Sequence, residues 1–201
     1  MLENAIPNLP DNEQYWNRLR AAINSELVVK AQNYAIKCHA ETNHTYDGKP
    51  YHTHLQGVAH YACKYAYLLT DEPGILEAVI ASAWTHDTIE DCRQTYNDVK
   101  KELGTEVAEI TYALTNEKGR NRKERANALY YEGIRNTPYA GYVKLCDRLA
   151  NARYSKEQGS RMIEAYRKEH DYFMGELLCL GFQPMWDELS AILFTSIYES
   201  K

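Results

Sequence analysis

Residues 75–91 read ILEAVIASAWTHDTIED, and the fold turns on them. Ile75, Leu76, Val79, Ile80, Ala83 and Trp84 recur at helical spacing, the mark of a helix that buries an apolar side. That helix runs into His86-Asp87, and Glu90 and Asp91 follow each of them by four residues. If the helix continues, these spacings bring the four titratable groups to one side. Three carboxylates so close repel one another unless a cation or a shared proton compensates. Imidazole offers a neutral nitrogen and carboxylate a hard anionic oxygen, so a metal ion is the expected compensation. The competing reading is an acidic cluster on a surface helix.

Outward from this stretch the same periodicity dominates. Leu55, Val58, Ala59, Ala62, Tyr65, Ala66 and Leu69 form one stripe. Leu27, Ala31, Tyr34, Ala35 and Cys38 form another, on a helix ending near His39. Between them, Thr42 to Thr53 holds Asn-His, Asp-Gly and Lys-Pro, which are loop signals. Asp71-Glu72-Pro73 predicts the start of the central helix with Asp71 as N-cap, and Pro7 and Pro10 bracket an irregular lead-in. Downstream, Thr95-Tyr96-Asn97-Asp98 opens a capped helix, and Val107, Ile110 and Leu114 imply one more. The basic segment 118–125, KGRNRKER, reads as a loop or a helix start. Helices follow over 122–136, 138–154, 159–180 and 185–198, with Gly181 as a C-cap and Pro184 as the next start. No alternating strand is predicted. The expected class is all-α, packed by amphipathic stripes.

Composition narrows the function. A chain of 201 residues fits one domain with a full core. A formal net charge of -5 argues against an electrostatic grip on long nucleic acid. Cys38, Cys63, Cys92, Cys146 and Cys179 form no CxxC pair, so they read as buried free thiols of a reducing compartment. The first residues lack the basic and apolar regions of a signal peptide, and no apolar run approaches the roughly 18 residues that span a membrane. The expectation is a cytoplasmic protein with no membrane or nucleic-acid partner, homo-oligomerisation being left open.

Two further segments carry titratable groups on apolar frames. In Pro50-Tyr51-His52-Thr53-His54-Leu55, His54 opens a helix whose apolar face points inward, with His52 as a competing candidate. Asp147 lies among Val143, Leu145, Cys146 and Leu149, and a buried carboxylate needs a partner. Lys144 or Arg148 would serve as one.

These pieces, in this order, resemble the HD-domain metal phosphohydrolases, and most closely the hydrolase domain of the Rel/Spo type and the single-domain small alarmone hydrolases. The matching pieces are Gly48-x-Pro50-Tyr51-x-x-His54-x-x-x-Val58-Ala59, His86-Asp87-Thr88-Ile89-Glu90-Asp91, Thr95-Tyr96-x-Asp98, Gly104-x-x-Val107-Ala108, Leu114-Thr115 and Lys144-Leu145-x-Asp147-Arg148-Leu149-x-Asn151. The resemblance covers about residues 26–155 and implies a compact, single-domain helical HD-type fold, followed by C-terminal helices over 159–198. It implies that His54, His86, Asp87 and Asp147 hold one divalent ion, manganese in that family. Two imidazoles and two carboxylates suit manganese or iron before zinc or magnesium. It also implies that Glu90 and Asp91 orient or deprotonate water and handle the leaving group, that Asn151 contacts the nucleotide, and that Arg148 braces Asp147. The implied reaction removes the 3′-pyrophosphate from guanosine tetra- or pentaphosphate.

In that family an Arg-Lys pair stands nine and eight residues before the first histidine ligand; here those positions hold Thr45 and Tyr46. Tyr46 then becomes a candidate for stacking on a base, and His44 or Lys49 for donating to the nucleotide. Lys118, Arg120, Arg122, Lys123 and Arg125 are further candidates for phosphate contacts. The departure keeps two alternatives open. One is an HD phosphatase acting on another phosphorylated nucleotide, such as a nucleoside monophosphate or a 2′-phosphorylated dinucleotide. The other is a nucleotide-sensing module without catalysis.

Overall fold

The computed structural model describes residues 13–69, 72 and 74–195. Its helices are α1 (Glu13–Ile23), α2 (Glu26–Glu41), α3 (His52–Lys64), α4 (Ile75–Thr85), α5 (Thr88–Asp91), α6 (Tyr96–Leu103), α7 (Thr105–Ala113), α8 (Arg122–Arg125), α9 (Ala128–Asn136), α10 (Ala140–Glu157), α11 (Met162–Leu177) and α12 (Gln183–Phe194). The all-α reading is borne out. Its exception is a ladder of two residues a side, β1 (Thr45–Tyr46) antiparallel to β2 (Lys49–Pro50), inside the stretch read as loop. Asp47 and Gly48 between them have φ of 52° and 75°, the left-handed pair that a tight two-residue hairpin needs. Tyr154 of α10 donates its hydroxyl to Asp47 Oδ2 at 3.0 Å and pins the hairpin to the bundle.

Helix α4 is the centre. It packs against α2, α3 and α7, and every side chain from Ala78 to Thr85 is buried. Its polar members are satisfied within the core: Ser82 Oγ donates to the Ala78 carbonyl at 2.8 Å, and Thr85 and Thr111 of α7 share a hydroxyl hydrogen bond of 2.9 Å. Helix α10 is the second buried helix, packed on α3, α11 and α12. The cap predicted at Thr95 is present as a reciprocal capping box with Asp98.

Several predicted boundaries move. The Asp71-Pro73 start, the Pro7-Pro10 lead-in and the last residues of the 185–198 helix lie outside the described residues; α4 follows Gly74, whose φ is 85°. The 122–136 helix is two, because the side chains of Asn121 and Asn127 cap α8 and α9 separately. Helix α10 runs three residues beyond the predicted end, to Glu157. The thiols are all free; Cys38, Cys92 and Cys146 are buried as expected, but Cys63 is half-buried and Cys179 exposed. Among the described residues no helix is long and apolar enough to cross a membrane.

Candidate metal centre

The central helix does not continue through His86-Asp87. It ends at Thr85, because side chains take over its last carbonyls. His86 Nδ1 lies 3.0 Å from the Ala83 carbonyl and Thr88 Oγ1 donates to the Thr85 carbonyl at 2.7 Å, satisfying acceptors that a helix end leaves free. The first of these contacts puts the proton on Nδ1 and leaves the Nε2 lone pair facing inward. His54, in the first turn of α3, brings its Nε2 to 3.3 Å from His86 Nε2. Asp147 of α10 completes the cluster, its Oδ1 being 3.4 Å from His54 Nε2 and 3.7 Å from His86 Nε2. Asp87 Oδ2 stands 3.6 Å and 3.0 Å from the same two nitrogens and also accepts the Tyr51 hydroxyl at 2.5 Å.

The electrostatics of this cluster favour a cation. Burial alone would lower the pKa of His54, yet hydrogen bonding to Asp147 and Asp87 lifts it to about 9. Burial alone would raise both carboxyls; His86 holds Asp87, and Lys144 holds Asp147, well below the usual range. Buried Asp147 and half-buried Asp87 thus draw positive charge to the point between the imidazoles. His54, His86 and Asp147 offer ligand atoms all within 4.8 Å of one another, and this mixed nitrogen and oxygen donor set fits a divalent ion. His52, the competing candidate, is half-buried at the start of α3.

Glu90 and Asp91, on α5, sit in different surroundings. Glu90 is held: Asn116 donates to it from its backbone at 3.2 Å and from its amide at 2.9 and 3.1 Å, and Arg125 lies 3.9 Å away. Asp91 lacks such an anchor, its near neighbour being His44 Nδ1 at 3.7 Å. Burial, then the Asp87 and Glu90 charges, push its carboxyl up to about 7. His44 itself stacks on Tyr51 and faces buried His39, Nδ1 to Nδ1, at 3.1 Å.

A cavity of about 570 Å³ opens from His54, Asp87 and Asp147 past Glu90 and Asp91. Its lining also carries basic residues, Arg122, Lys123, Arg125, Arg148 and Lys168. So three of the five basic residues of segment 118–125 reach the cavity, and Lys118 and Arg120 do not line it. Tyr130, Tyr166 and Tyr172 add aromatic surface. Arg148 does not brace Asp147 as expected. It donates to Glu169 at 3.0 Å and lies 4.4 Å from the Phe173 ring centroid, because its position on α10 points it toward α11. Lys144 is the brace, 2.9 Å from Asp147 Oδ2. Asn151 lines the cavity but is already occupied, donating to Asp147 Oδ1 at 2.5 Å and accepting from Tyr46 at 2.8 Å. Lys49 is exposed, its ammonium 5.1 Å from the Tyr154 ring centroid.

Residues 31–172, which contain every candidate ligand and every cavity-lining residue named above, match the HD domain family. The chain belongs to the HD-domain family. Among HD-domain relatives, the guanosine-3′,5′-bis(diphosphate) 3′-pyrophosphohydrolase MESH1 of Homo sapiens is 30% identical over 128 residues, 63% of this chain and 68% of that protein. The GTP pyrophosphokinase rsh of Brucella ovis is 29% identical over 188 residues, 90% of this chain but 24% of that longer protein. A solved structure described as a metazoan ortholog of SpoT that hydrolyzes ppGpp superposes with a TM-score of 0.62 at 22% identity, covering 84% of this chain and 94% of its own. That likeness bears on the HD-type helical fold. Sequence reasoning gave no role to Tyr51, Asn116, Lys168, Glu169 and Tyr172, although Tyr51 stood inside the quoted Gly48-to-Ala59 motif and Asn116 beside Leu114-Thr115.

Proposed function

We propose that this chain is a divalent-metal-dependent phosphohydrolase whose substrate is guanosine 3′,5′-bis(diphosphate), from which it removes the 3′-pyrophosphate. The observation that carries this reading is one cavity lined both by His54, Asp87 and Asp147 of the candidate metal cluster and by Arg122, Lys123, Arg125, Arg148 and Lys168. The reaction named for the MESH1 relatives supports it. His54, His86, Asp87 and Asp147 would hold the ion, manganese before iron, zinc or magnesium. When bound, the ion supplies positive charge that polarises a phosphoryl oxygen and acidifies water. Glu90, fixed by Asn116, orients the attacking water. Asp91, with a pKa near neutral, accepts the proton of that water and returns one to the leaving group. The water oxygen bonds to the phosphorus on the 3′ oxygen, the P–O3′ bond breaks, and the 3′ oxygen leaves as a hydroxyl. Lys123, Lys168 and Arg125 neutralise the phosphates, while Arg122 is forked onto Glu169 at 2.8 and 3.0 Å and would have to exchange that carboxylate for a phosphate.

The test is incubation with Mn²⁺ and guanosine tetraphosphate. GDP and pyrophosphate are the expected products, and no turnover by protein that has taken up the ion sinks the reading. The engaged Tyr46 hydroxyl favours a second reading, a phosphatase acting on another nucleotide. Release of orthophosphate from a nucleotide panel, with guanosine tetraphosphate left intact, would select it.

A further inference from the structure

Tyr46 stands at the second position of the Arg-Lys pair that the resembling hydrolases carry, and its side chain is engaged within the protein. Its hydroxyl donates to Asn151 Oδ1 at 2.8 Å, and the same amide donates through Nδ2 to Asp147 Oδ1 at 2.5 Å. Asp147 Oδ1 is the oxygen that faces both imidazoles. The donor also decides which way the amide points: an Oδ1 that accepts from Tyr46 leaves Nδ2 toward the carboxylate. Meanwhile the Tyr46 ring stacks on His54, with centroids 4.9 Å apart and planes at 22°. One side chain thus touches one candidate ligand directly and a second through a single amide.

Tyr46 is itself firmly seated. It lies in the hairpin pinned by Tyr154, whose ring is 4.8 Å away, and burial keeps its phenol protonated as a donor. A second cavity of about 400 Å³ lies on the far side, lined by Tyr46, Gly57, His60 and Ala150 and sharing only His54 with the first. Tyr46 and Asn151 therefore stand as the partition between the two cavities at the metal end.

We propose that Tyr46 is a positioning residue of the metal centre, setting Asp147 through Asn151, rather than a contact for the nucleotide base. The inference rests on reading His54, His86, Asp87 and Asp147 as ligands, and not on the identity of the substrate. Partners in the outer shell of a metal site typically carry about 10–100-fold in affinity.

The experiment is a calorimetric Mn²⁺ titration of the metal-stripped full chain across a double-mutant cycle. Tyr46→Phe keeps the ring on His54 and removes only the donor. It should weaken Mn²⁺ binding about tenfold. Asn151→Ala should weaken it at least as much, and adding Tyr46→Phe to Asn151→Ala should change it by less than about twofold. The metal-free thermal midpoint of Tyr46→Phe should stay within about 2 °C of wild type. Unchanged affinity in Tyr46→Phe, or an equal further loss in the Asn151→Ala background, overturns the proposal. So does a fall in the midpoint with affinity intact, which marks a merely structural tyrosine. If the wild type takes up no Mn²⁺, the metal-centre reading fails with it; if only Tyr46→Phe matches a binding-competent wild type, this inference fails alone.

Discussion

Asp147 shows how a carboxylate stays charged inside a helical core. It is buried, and it meets Lys144 at 2.9 Å, Asn151 at 2.5 Å and His54 at 3.4 Å. Burial by itself would strip Lys144 of its proton, but Asp147 holds the ammonium well above its ordinary range, so the pair remains ionic. Removing one member of such a pair leaves an uncompensated buried charge. Lys144→Met should therefore cost the metal-free protein about 3 kcal/mol in urea unfolding with chelator present. In saturating Mn²⁺ the deficit should shrink, because the ion takes over the countercharge. A deficit of equal size in both conditions would contradict this account. Of the six acidic and imidazole groups of the candidate site, His86 and Asp87 were legible at the end of an apolar helix and Asp147 in an apolar frame, whereas the choice of His54 over His52 and the roles of Glu90 and Asp91 came only through the resemblance. Asn116 was legible in neither way. It meets Glu90 across 26 residues only because α7 packs on α4 and α5, a contact no local spacing encodes.

At the level of elements, Glu188 joins α12 to the core. Its carboxylate accepts from Lys64 Nζ at 2.5 Å, Arg153 Nη2 at 3.1 Å, the Tyr61 hydroxyl at 3.2 Å and the Tyr65 hydroxyl, so α3, α10 and α12 meet on one acid. Burial would raise its pKa; these donors, Lys64 foremost, outweigh burial and lower it below the ordinary 4.5. The folded state then binds the proton less readily than the unfolded chain, so the joint's stabilisation is complete above the unfolded pKa and is lost as pH falls through the folded one. Glu188→Gln should be less stable than wild type by about 2 kcal/mol at neutral pH, by urea unfolding. That gap should narrow as pH falls below the ordinary 4.5 and the wild-type carboxyl gains its proton. A gap that widens toward acid would count against the joint. Helix identity at this scale was readable from apolar stripes, and the Thr95 start from its capping residues, whereas other helix ends were not. The break after Thr85 and the division of α8 from α9 come from side chains that bind backbone groups, His86 and Thr88 in one case and Asn121 and Asn127 in the other. Periodicity carries no trace of that competition.

For the molecule as a whole, the candidate ligands come from α3, from the turn between α4 and α5, and from α10. His54 and His86 alone are 32 residues apart, and Asp147 lies on the helix that links α3 to α11 and α12. The unfolded chain does not hold these groups together, so an ion that binds only the folded arrangement stabilises it by mass action. At about a hundredfold excess over Kd this amounts to about 2.7 kcal/mol. A chain of this size gains about 2–4 °C in melting temperature per kcal/mol, so Mn²⁺ should raise the midpoint by about 5–10 °C, and chelator should reverse it. Mg²⁺ at equal concentration should do less, since imidazoles are poor ligands for it. Asp147→Ala starts from a lower midpoint, because Lys144 loses its partner, but the quantity to read is the increment on adding Mn²⁺, and it should vanish. An Asp147→Ala protein whose midpoint still climbs with Mn²⁺ as the wild type does would put the ion elsewhere in the molecule, and with it the hydrolytic centre.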